Sequence, residues 1–435
     1  MQHLSAPSSP APASGVRGRI KSAAEFLAGQ RHLTAIRDGV VGALPLVLIG
    51  SVFLLLAQPP STALQAWISP FANELLIPYR VLGGAIAVYV TFSAAHSLGK
   101  SYRLDAASCG LTAVAAYLVA AMPGDPSAAQ SLPLSRLGAS GIFAGLLVAI
   151  ATVEITRVFA KQRWTFRLPP SVPEAVSRSF LALGPGFAVI SAAFLITRVA
   201  GVDLIRGLEL LAQPLVRATG SLAAALMVVL IDSGFWLLGI HASAATSSLR
   251  PLWEAMLVGN MEAAAQGEKI LPHIASQPFY LWFAWQGGSG GTLPLAFLLL
   301  RAKSRQLRSV SRLAILPSLF NINEPILFGA PVVLNPQLAI PFIASPLFSA
   351  LTAYLAFSWN WVTRPYLQVP WTLPAPLGAF FSTGADYRAV LLQLFNLFAG
   401  FLFYWPFARR FDRFLQRKEA EAAAPGSAAT LPSTG

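Results

Sequence analysis

The 435-residue chain is 55% hydrophobic and only 11% charged, and its mean hydropathy is +0.60. Because soluble domains carry about 25% charged residues, this composition excludes an ordinary water-exposed surface. The net charge of +13 could indicate nucleic-acid binding, but the basic residues lie in short clusters between apolar stretches, which is typical of cytoplasmic loops. We therefore expect an all-α polytopic protein that contacts the lipid bilayer and no nucleic acid.

Apolar stretches of spanning length recur along the chain. A transmembrane helix needs about 20 mostly apolar residues, and the sequence predicts about ten such helices, with re-entrant hairpins and interfacial amphipathic helices between them. The candidate spans are 39–57, 81–98, 104–122, 137–158, 179–198, 218–240, 278–300, 338–358 and 389–408. The stretch 313–336 is equally apolar, but its prolines predict a broken hairpin instead of a simple span.

A polar segment divides the membrane part into two halves. Charged residues alternate there with a Leu/Ile face, which predicts a helix in the membrane plane. The ends are rich in Ala, Ser and Pro, which predicts disorder. The predicted units are a disordered N-terminus at 1–16, a first half at 17–200 with an amphipathic helix at 18–37, an interfacial linker helix at 201–217, a second half at 218–415 and a disordered tail at 416–435.

The distribution of Lys and Arg predicts the orientation. Basic clusters precede the first span, follow the second and fourth, and fill 301–312 and the segment after the last span. By the positive-inside rule both termini are expected in the cytoplasm. Cys109 is the single cysteine, so an intrachain disulfide and a cysteine-based metal cluster are excluded. We expect no cofactor and no metal, and the common serine-hydrolase and zinc-peptidase motifs are absent.

Glu324 is the one charged residue between Leu313 and Thr363. A carboxylate at membrane depth costs several kcal/mol unless it is paired, protonated or faces a cavity, so its default interpretation is functional. Irregular backbone is tolerated in a membrane only where it is buried in protein or lines a wet cavity. Asn321, Asn323 and Glu324 therefore predict a polar site that can bind hydroxyl groups. The alternative is a structural Glu that caps a re-entrant helix.

Aromatic residues accompany two further polar features. His241 ends an apolar span, and Trp236, five residues earlier, offers a flat apolar face. Aromatic faces beside polar side chains are the lining expected of a carbohydrate pocket. A lone His at a helix end is alternatively structural. Trp371 lies in a proline-rich loop and alternatively belongs to the interfacial belt of tryptophans.

A glycine-rich run, 287–291, interrupts a predicted span and includes Gly288 and Ser289. Four glycines in five residues do not form a stable helix core, so backbone amides there are expected to be available for bonding. No Lys-Ser/Thr follows, which leaves a Walker-type nucleotide site unsupported. The sequence instead favours a helix break beside a sugar path, or a hinge.

Several ordered motifs resemble one family. Phe320-Asn-Ile-Asn-Glu-Pro-Ile-Leu-Phe-Gly329 and Pro331-Val-Val-Leu-Asn-Pro336 are similar to the IIC permease components of the bacterial phosphoenolpyruvate-dependent phosphotransferase system, in the lactose/cellobiose/diacetylchitobiose branch. Similar stretches lie at 31–39, 239–241, 272–274, 287–290 and 381–384, so the resemblance runs from about residue 20 to 415.

The resemblance implies a homodimer in the bacterial inner membrane, with a dimerisation half and a sugar-binding transport half. It implies that a phosphocysteine on a IIB protein phosphorylates the sugar 6-hydroxyl. His241 and Glu324 match the residues that contact this end of the sugar, and Trp236 and Trp371 match the stacking tryptophans. Ala242 replaces the usual glycine after the Gly-Ile-His motif, which is expected to narrow the pocket.

We therefore expect a permease that imports a β-linked disaccharide, such as cellobiose, chitobiose or lactose. Cys109 lies in an apolar stretch outside any phosphate-binding loop, so the phosphoryl donor is expected on a separate, phosphorylated IIB protein. The expected substrate-binding residues are His241, Glu324, Asn323, Asn321, Trp236, Trp371, Gly288 and Ser289, with Glu324 as a general base. The chain itself would position sugar and carry no catalytic phosphoryl donor.

Two alternatives remain open from the sequence. One is an uncoupled or proton-linked sugar transporter of the same fold, in which Glu324 and His241 form a proton relay. The other is a membrane sensor or structural subunit that keeps the fold without transport.

Overall fold

The protein is described by a computed structural model over residues 30–59, 62–122, 132–164, 174–241 and 246–423. All regular elements within these residues are helical, which confirms the all-α prediction. The elements of the first half are α1 (Arg31–Ala57), α2 (Thr62–Ile68), α3 (Ala72–Leu82), α4 (Ile86–Ser101), α5 (Ala106–Ala121), α6 (Ile142–Gln162) and α7 (Glu174–Phe194). The amphipathic helix predicted at 18–37 lies partly outside the described residues, and its last part belongs to α1.

The remaining helices form the linker and the second half. The linker helix is α8 (Leu204–Thr219), whose side-chain cap is Asp203. The second half contains α9 (Leu222–Leu237), α10 (Arg250–Ala265), α11 (Leu293–Leu300), α12 (Arg305–Leu319), α13 (Glu324–Gly329), α14 (Pro336–Ser358), α15 (Ala375–Ser382) and α16 (Tyr387–Ala423).

Six helical stretches of the described chain are long and apolar enough to cross a membrane. They are Arg31–Ala57, Ala63–Ser101, Ala139–Gln162, Phe180–Val199, Pro336–Ser358 and Tyr387–Glu421. The linker helix α8 and the following helix α9 pass the same test only as a pair that is bent by 71°, and counting this pair as one broken span gives seven. Helix α5, predicted as a span at 104–122, has only 16 residues.

The span predicted at 278–300 is wrong as a continuous helix. A short π-helix, Phe279–Ala284, is followed by the glycine run and then by α11. Gly287, Gly288, Gly290 and Gly291 all have positive φ, between +60° and +100°. A right-handed helix does not admit this conformation, so the backbone leaves the helical path.

The predicted disordered tail at 416–435 is also partly wrong, because α16 continues to Ala423. The carboxylate of Glu419 accepts hydrogen bonds from the Ser304 hydroxyl at 2.6 Å and from the N–H groups of Arg305 and Gln306 at 3.0 and 3.1 Å. These bonds satisfy the first amides of α12 and hold the end of α16 in place. Residues 424–435, like the N-terminus predicted to be disordered at 1–16, lie outside the described residues.

Close helix packing builds the core of the first half. A Cβ atom added to Gly39 on α1 would lie 2.7 Å from Cβ of Ala94 on α4, so the two backbones meet through small residues, as is common in membrane helices. The same core takes in α10, whose Leu257 and Met261 are fully buried within it. Two further cores lie in the second half, around Trp282 and around Phe342. Helix α10 of the second half therefore packs across the predicted boundary at 201–217 and into the core of the first half.

Candidate functional site

The centre of the site is a turn between α12 and α13. Helix α12 ends before Phe320, Asn321 has a φ of +64°, and α13 starts at Glu324 with Pro325 in its first turn. Proline is tolerated at that position because the first amides of a helix have no partner within the helix. The predicted interruption of this stretch is confirmed, and it places Glu324 at the start of a six-residue helix.

Asn321 joins the turn to two distant loops. Its Oδ1 atom accepts the N–H of Gly287 at 3.1 Å. Its Nδ2 atom donates to the carbonyl oxygens of Trp371 at 2.8 Å and Leu373 at 3.0 Å. One side chain thus positions the glycine run and the Trp371 loop against the same turn.

Asn323 holds the glycine run from the other side. It is only 4% exposed, and its Nδ2 atom donates to the carbonyl oxygen of Ser289 at 2.7 Å and to Oγ1 of Thr292 at 3.1 Å. Gly288 has a φ of +100°, and a Cβ atom there would lie 2.4 Å from Cγ of Asn323. Gly288 thus serves the close approach of the two segments, and direct sugar contact by Gly288, Asn321 and Asn323 stays a prediction.

The glycine run has further anchors. The Tyr404 hydroxyl on α16 donates to the carbonyl oxygen of Gly290 at 2.7 Å, and the Thr292 hydroxyl donates to that of Gly287 at 3.1 Å. The Ser289 hydroxyl faces the carboxylate of Asp232, which is only 3% exposed. The run is therefore a folded loop whose carbonyl groups are bound by α13, α16 and its own threonine.

Trp236 and His241 meet at the end of α9. Their ring centroids are 4.6 Å apart at an interplanar angle of 53°. Trp236 is buried, whereas His241 is exposed beyond it. The Trp236 ring also contacts Phe328 of α13, with centroids 6.3 Å apart. The N–H of Leu334, just after α13, donates to the carbonyl oxygen of Leu237 at 3.1 Å and ties the two segments together.

These contacts place the predicted polar residues around one region. Phe328 follows Glu324 by four residues, and residues four apart share one face of a helix. Glu324 therefore lies on the face of α13 that contacts the Trp236–His241 pair. Trp371 adjoins the other side of the turn through Asn321, and its side chain is 54% exposed. The structure thus packs the Trp236 ring against His241 and against the face of α13 that carries Glu324, and it joins the Trp371 backbone to the same turn through Asn321.

Glu324 is exposed, and no described side chain forms an ion pair or hydrogen bond with its carboxylate. A carboxylate in a first helical turn interacts favourably with the helix dipole. However, Glu324 makes no hydrogen bond to the helix amides, which is what a capping residue would do. The geometry therefore favours an open carboxylate beside aromatic rings over the structural cap. Such a set can accept hydrogen bonds from hydroxyls and cover the C–H face of a sugar ring.

Sequence reasoning missed Phe328 and Tyr404. Phe328 could have been found from its four-residue spacing to Glu324 once a helix was assumed to start at the Asn-Glu-Pro motif. Tyr404 lies 114 residues from the carbonyl group that it binds, and no local pattern marks it.

Comparison with known proteins gives a consistent result. The family model described as "Phosphotransferase system, EIIC" matches residues 37–346. The cellobiose-specific EIIC component of Geobacillus stearothermophilus is 35% identical, over 94% of this chain and 95% of that protein. The lichenan permease IIC component of Bacillus subtilis (strain 168) is 34% identical, over 91% and 92%.

A solved structure also matches. The crystal structure of the transporter ChbC, the IIC component of the N,N'-diacetylchitobiose-specific phosphotransferase system, superposes with a TM-score of 0.84. The sequence identity is 32%, and the match covers 92% of this chain and 98% of that one.

Fold and site together define a polytopic membrane permease for sugars. The chain belongs to the EIIC family of the phosphotransferase system, as the resemblance of its motifs predicted. Members of this family bind a sugar substrate and work with a IIB component.

Proposed function

We propose that this permease imports a β-linked disaccharide, which a separate phosphorylated IIB protein phosphorylates during uptake. The relatives named above are described for cellobiose, lichenan and N,N'-diacetylchitobiose, all of which contain β-linked sugar units. The observation that carries the proposal is the open carboxylate of Glu324 on the face of α13 that meets the Trp236–His241 pair.

Each residue has a role that follows from its placement. Glu324 and His241 bind the hydroxyl that receives the phosphoryl group, because both are exposed beside the same aromatic rings. Trp236 and Trp371 cover the apolar faces of the sugar rings. Asn321 and Asn323 orient the turn and the glycine run, and the backbone around Gly288 and Ser289 lines the path.

Phosphoryl transfer depends mainly on alignment and on stabilisation of charge. As the sugar oxygen bonds to the phosphorus atom, the bond from phosphorus to the IIB cysteine breaks and the hydroxyl proton must leave. Glu324 is placed to accept that proton as a general base, and such a base typically contributes 10²–10⁴-fold to a rate.

Replacement of the carboxylate tests this role. Glu324→Gln keeps the shape and the hydrogen-bonding capacity of the side chain but removes the base. We expect phosphorylation by a competent IIB to fall at least about 100-fold, while sugar binding, measured by calorimetry, falls much less. Glu268→Gln, a change at an exposed glutamate in the loop after α10, is the matched control and should behave as the wild type.

Two results would contradict the assignment at different levels. Unaltered phosphorylation by Glu324→Gln would remove the base role, and unaltered sugar binding by Glu324→Ala as well would remove the site. Uptake into proteoliposomes without any phosphoryl donor would instead support an uncoupled transporter.

We also infer a homodimer in the inner membrane, formed through the first half at 17–200, with both termini in the cytoplasm. The basic clusters support this orientation by the positive-inside rule. Modification of cysteines introduced near Arg301 and near residue 135 tests it, because an impermeant reagent added to intact cells should react only at the second position. Cross-linking within the membrane tests the dimer.

A further inference from the structure

A groove lies between α11 and α16 in the second half, and none of the predicted sugar-site residues lines it. It is formed by the end of α11, the connection 301–304 and the last turns of α16, and its volume is about 1010 Å³. We call it the α11–α16 groove. Its lining runs from aromatic side chains such as Phe398 to basic side chains such as Arg413.

One end of the groove is apolar. Phe297 and Phe401 lie with ring centroids 6.1 Å apart, and Phe398 and Leu402 beside them are 60% and 53% exposed. These side chains belong to or face α16, one of the candidate membrane spans. Large exposed hydrophobic side chains on such a helix are in contact with acyl chains when the protein is in a bilayer.

The other end is basic. Arg301, Lys303, Arg409 and Arg413 line it and are all exposed. Arg409 lies over the ring of Trp405, with its Cζ atom 4.5 Å from the centroid, which holds its charge at the boundary between the two ends.

Asp412, the one acidic residue of the lining, stands against these four basic residues, so this end keeps a net positive charge. Both carboxylate oxygens of Asp412 accept backbone hydrogen bonds, from the N–H of Lys303 at 3.0 Å and of Ser304 at 2.8 Å. Among the described residues, the side chains of Arg301, Lys303 and Arg413 form no ion pair. The groove therefore carries a net positive charge next to an apolar surface.

The length of the groove indicates the ligand. From Phe398 to Arg413 the helix rises by about 22 Å at 1.5 Å per residue. One leaflet of a bilayer, with its headgroups, is about 20 Å thick. A molecule with a negative head and an apolar chain of one-leaflet length fits both ends at once.

We propose that the α11–α16 groove binds an anionic phospholipid. Its acyl chain lies along Phe398 and Leu402, and its phosphate is bound by Arg301 and Arg413. Basic pockets between transmembrane helices are suited to anionic lipid headgroups, and arginine forms strong, charge-assisted hydrogen bonds to phosphate. An acidic surface of a protein partner would use the basic end but leave the apolar end without an occupant.

Native mass spectrometry of the purified protein tests the proposal. The protein is equilibrated in micelles with phosphatidylglycerol and phosphatidylcholine of identical acyl chains, and the retained lipids are counted. We expect phosphatidylglycerol to be retained in preference to phosphatidylcholine. Because two basic contacts to the lipid headgroup are removed, Arg301→Gln with Arg413→Gln should lower phosphatidylglycerol retention about thirtyfold.

The control removes the same charge elsewhere. Lys100→Gln with Lys161→Gln affects exposed lysines outside the groove and should leave retention unchanged. If the double arginine variant unfolds, Arg413→Gln is compared with Arg413→Lys, which keeps the charge and should restore retention.

Three outcomes would overturn the proposal. One is wild-type retention by the arginine variants, and another is equal retention of the two lipids by the wild type. The third is loss of phosphoryl transfer from IIB in the double variant while lipid retention is unchanged, which would assign the groove to a protein partner.

Discussion

Gly288→Ala is the sharpest test of how the glycine run supports the turn that carries Glu324. An added methyl group would lie 2.4 Å from Cγ of Asn323 and 2.7 Å from each of its amide atoms, so the Asn323 side chain must move. Asn323 would then lose its hydrogen bonds to Ser289 and Thr292, at about 1 kcal/mol each. An alanine with a positive φ adds about 1–2 kcal/mol of backbone strain. The substitution is therefore expected to raise the free energy of this folded region by about 3–4 kcal/mol.

Gly267→Ala is the matched control. Gly267 has a φ of +83°, but no atom lies within 4 Å of an added Cβ, so this variant carries the backbone strain without the collision. The difference between the two variants is about 2 kcal/mol, which corresponds to about thirtyfold in affinity if it is all expressed in sugar binding.

The assay is calorimetric titration of cellobiose, with thermal unfolding of both variants in the same detergent. We expect sugar affinity to fall about ten- to thirtyfold in Gly288→Ala and to stay at the wild-type level in Gly267→Ala. The argument that Gly288 positions the turn through Asn323 would be refuted if Gly288→Ala bound sugar with wild-type affinity and unfolded at the same temperature as Gly267→Ala.

Three further changes have defined outcomes. Trp236→Phe shortens the aromatic face beside the site, so calorimetry should show sugar affinity reduced about two- to tenfold; unchanged affinity would argue against stacking. Glu262→Leu deprives the Ala139 N–H of its acceptor at 2.9 Å and should lower the free energy of unfolding by about 1–3 kcal/mol. Glu262→Gln keeps an acceptor and should lower it less in the same denaturation experiment, and equal losses would exclude the hydrogen bond as the cause. Burial acts to raise the pKa of Asp386, but hydrogen bonds, those from Arg388 above all, outweigh it and hold the pKa below its ordinary value. A depressed folded-state pKa stabilises the fold above about pH 4, and this contribution is lost as the pH falls through the folded-state pKa. Asp386→Asn should therefore lower the unfolding temperature at pH 7 and reduce its decline on acidification, and an unchanged pH profile would contradict the assignment.

The membrane class and the unusual placement of Glu324 could be recognised from the sequence for simple reasons. Composition excludes a soluble surface whatever the fold, and a lone carboxylate in a long apolar stretch is energetically unusual wherever the chain goes. The contact between Trp236 and His241 could also be predicted, because both residues lie within one or two turns of the same helix end.

The hydrogen bonds that hold the candidate site together could not be predicted from the sequence. Asn321 and Asn323 each bind backbone groups about 34 residues earlier, and Asn321 also binds a loop about 50 residues later. The sequence indicated that the glycine run breaks a helix, yet 278–300 still satisfied the length and hydropathy of a span. Only the positive φ angles of its four glycines, of which Gly288 lies against Asn323, show where the chain turns.

By itself, the sequence determined that the chain is a helical membrane protein and where its charges cluster, and it predicted a polar site at the Asn-Glu-Pro motif. These properties depend on composition and on residues that are neighbours in the sequence, so they can be predicted without knowledge of how the helices pack. Only the tertiary structure shows that Phe328, four residues after Glu324, contacts Trp236, that the two asparagines bind the glycine run, and that α16 stays helical to Ala423. Each of these depends on which distant donors and acceptors meet, and that is set by how the helices pack.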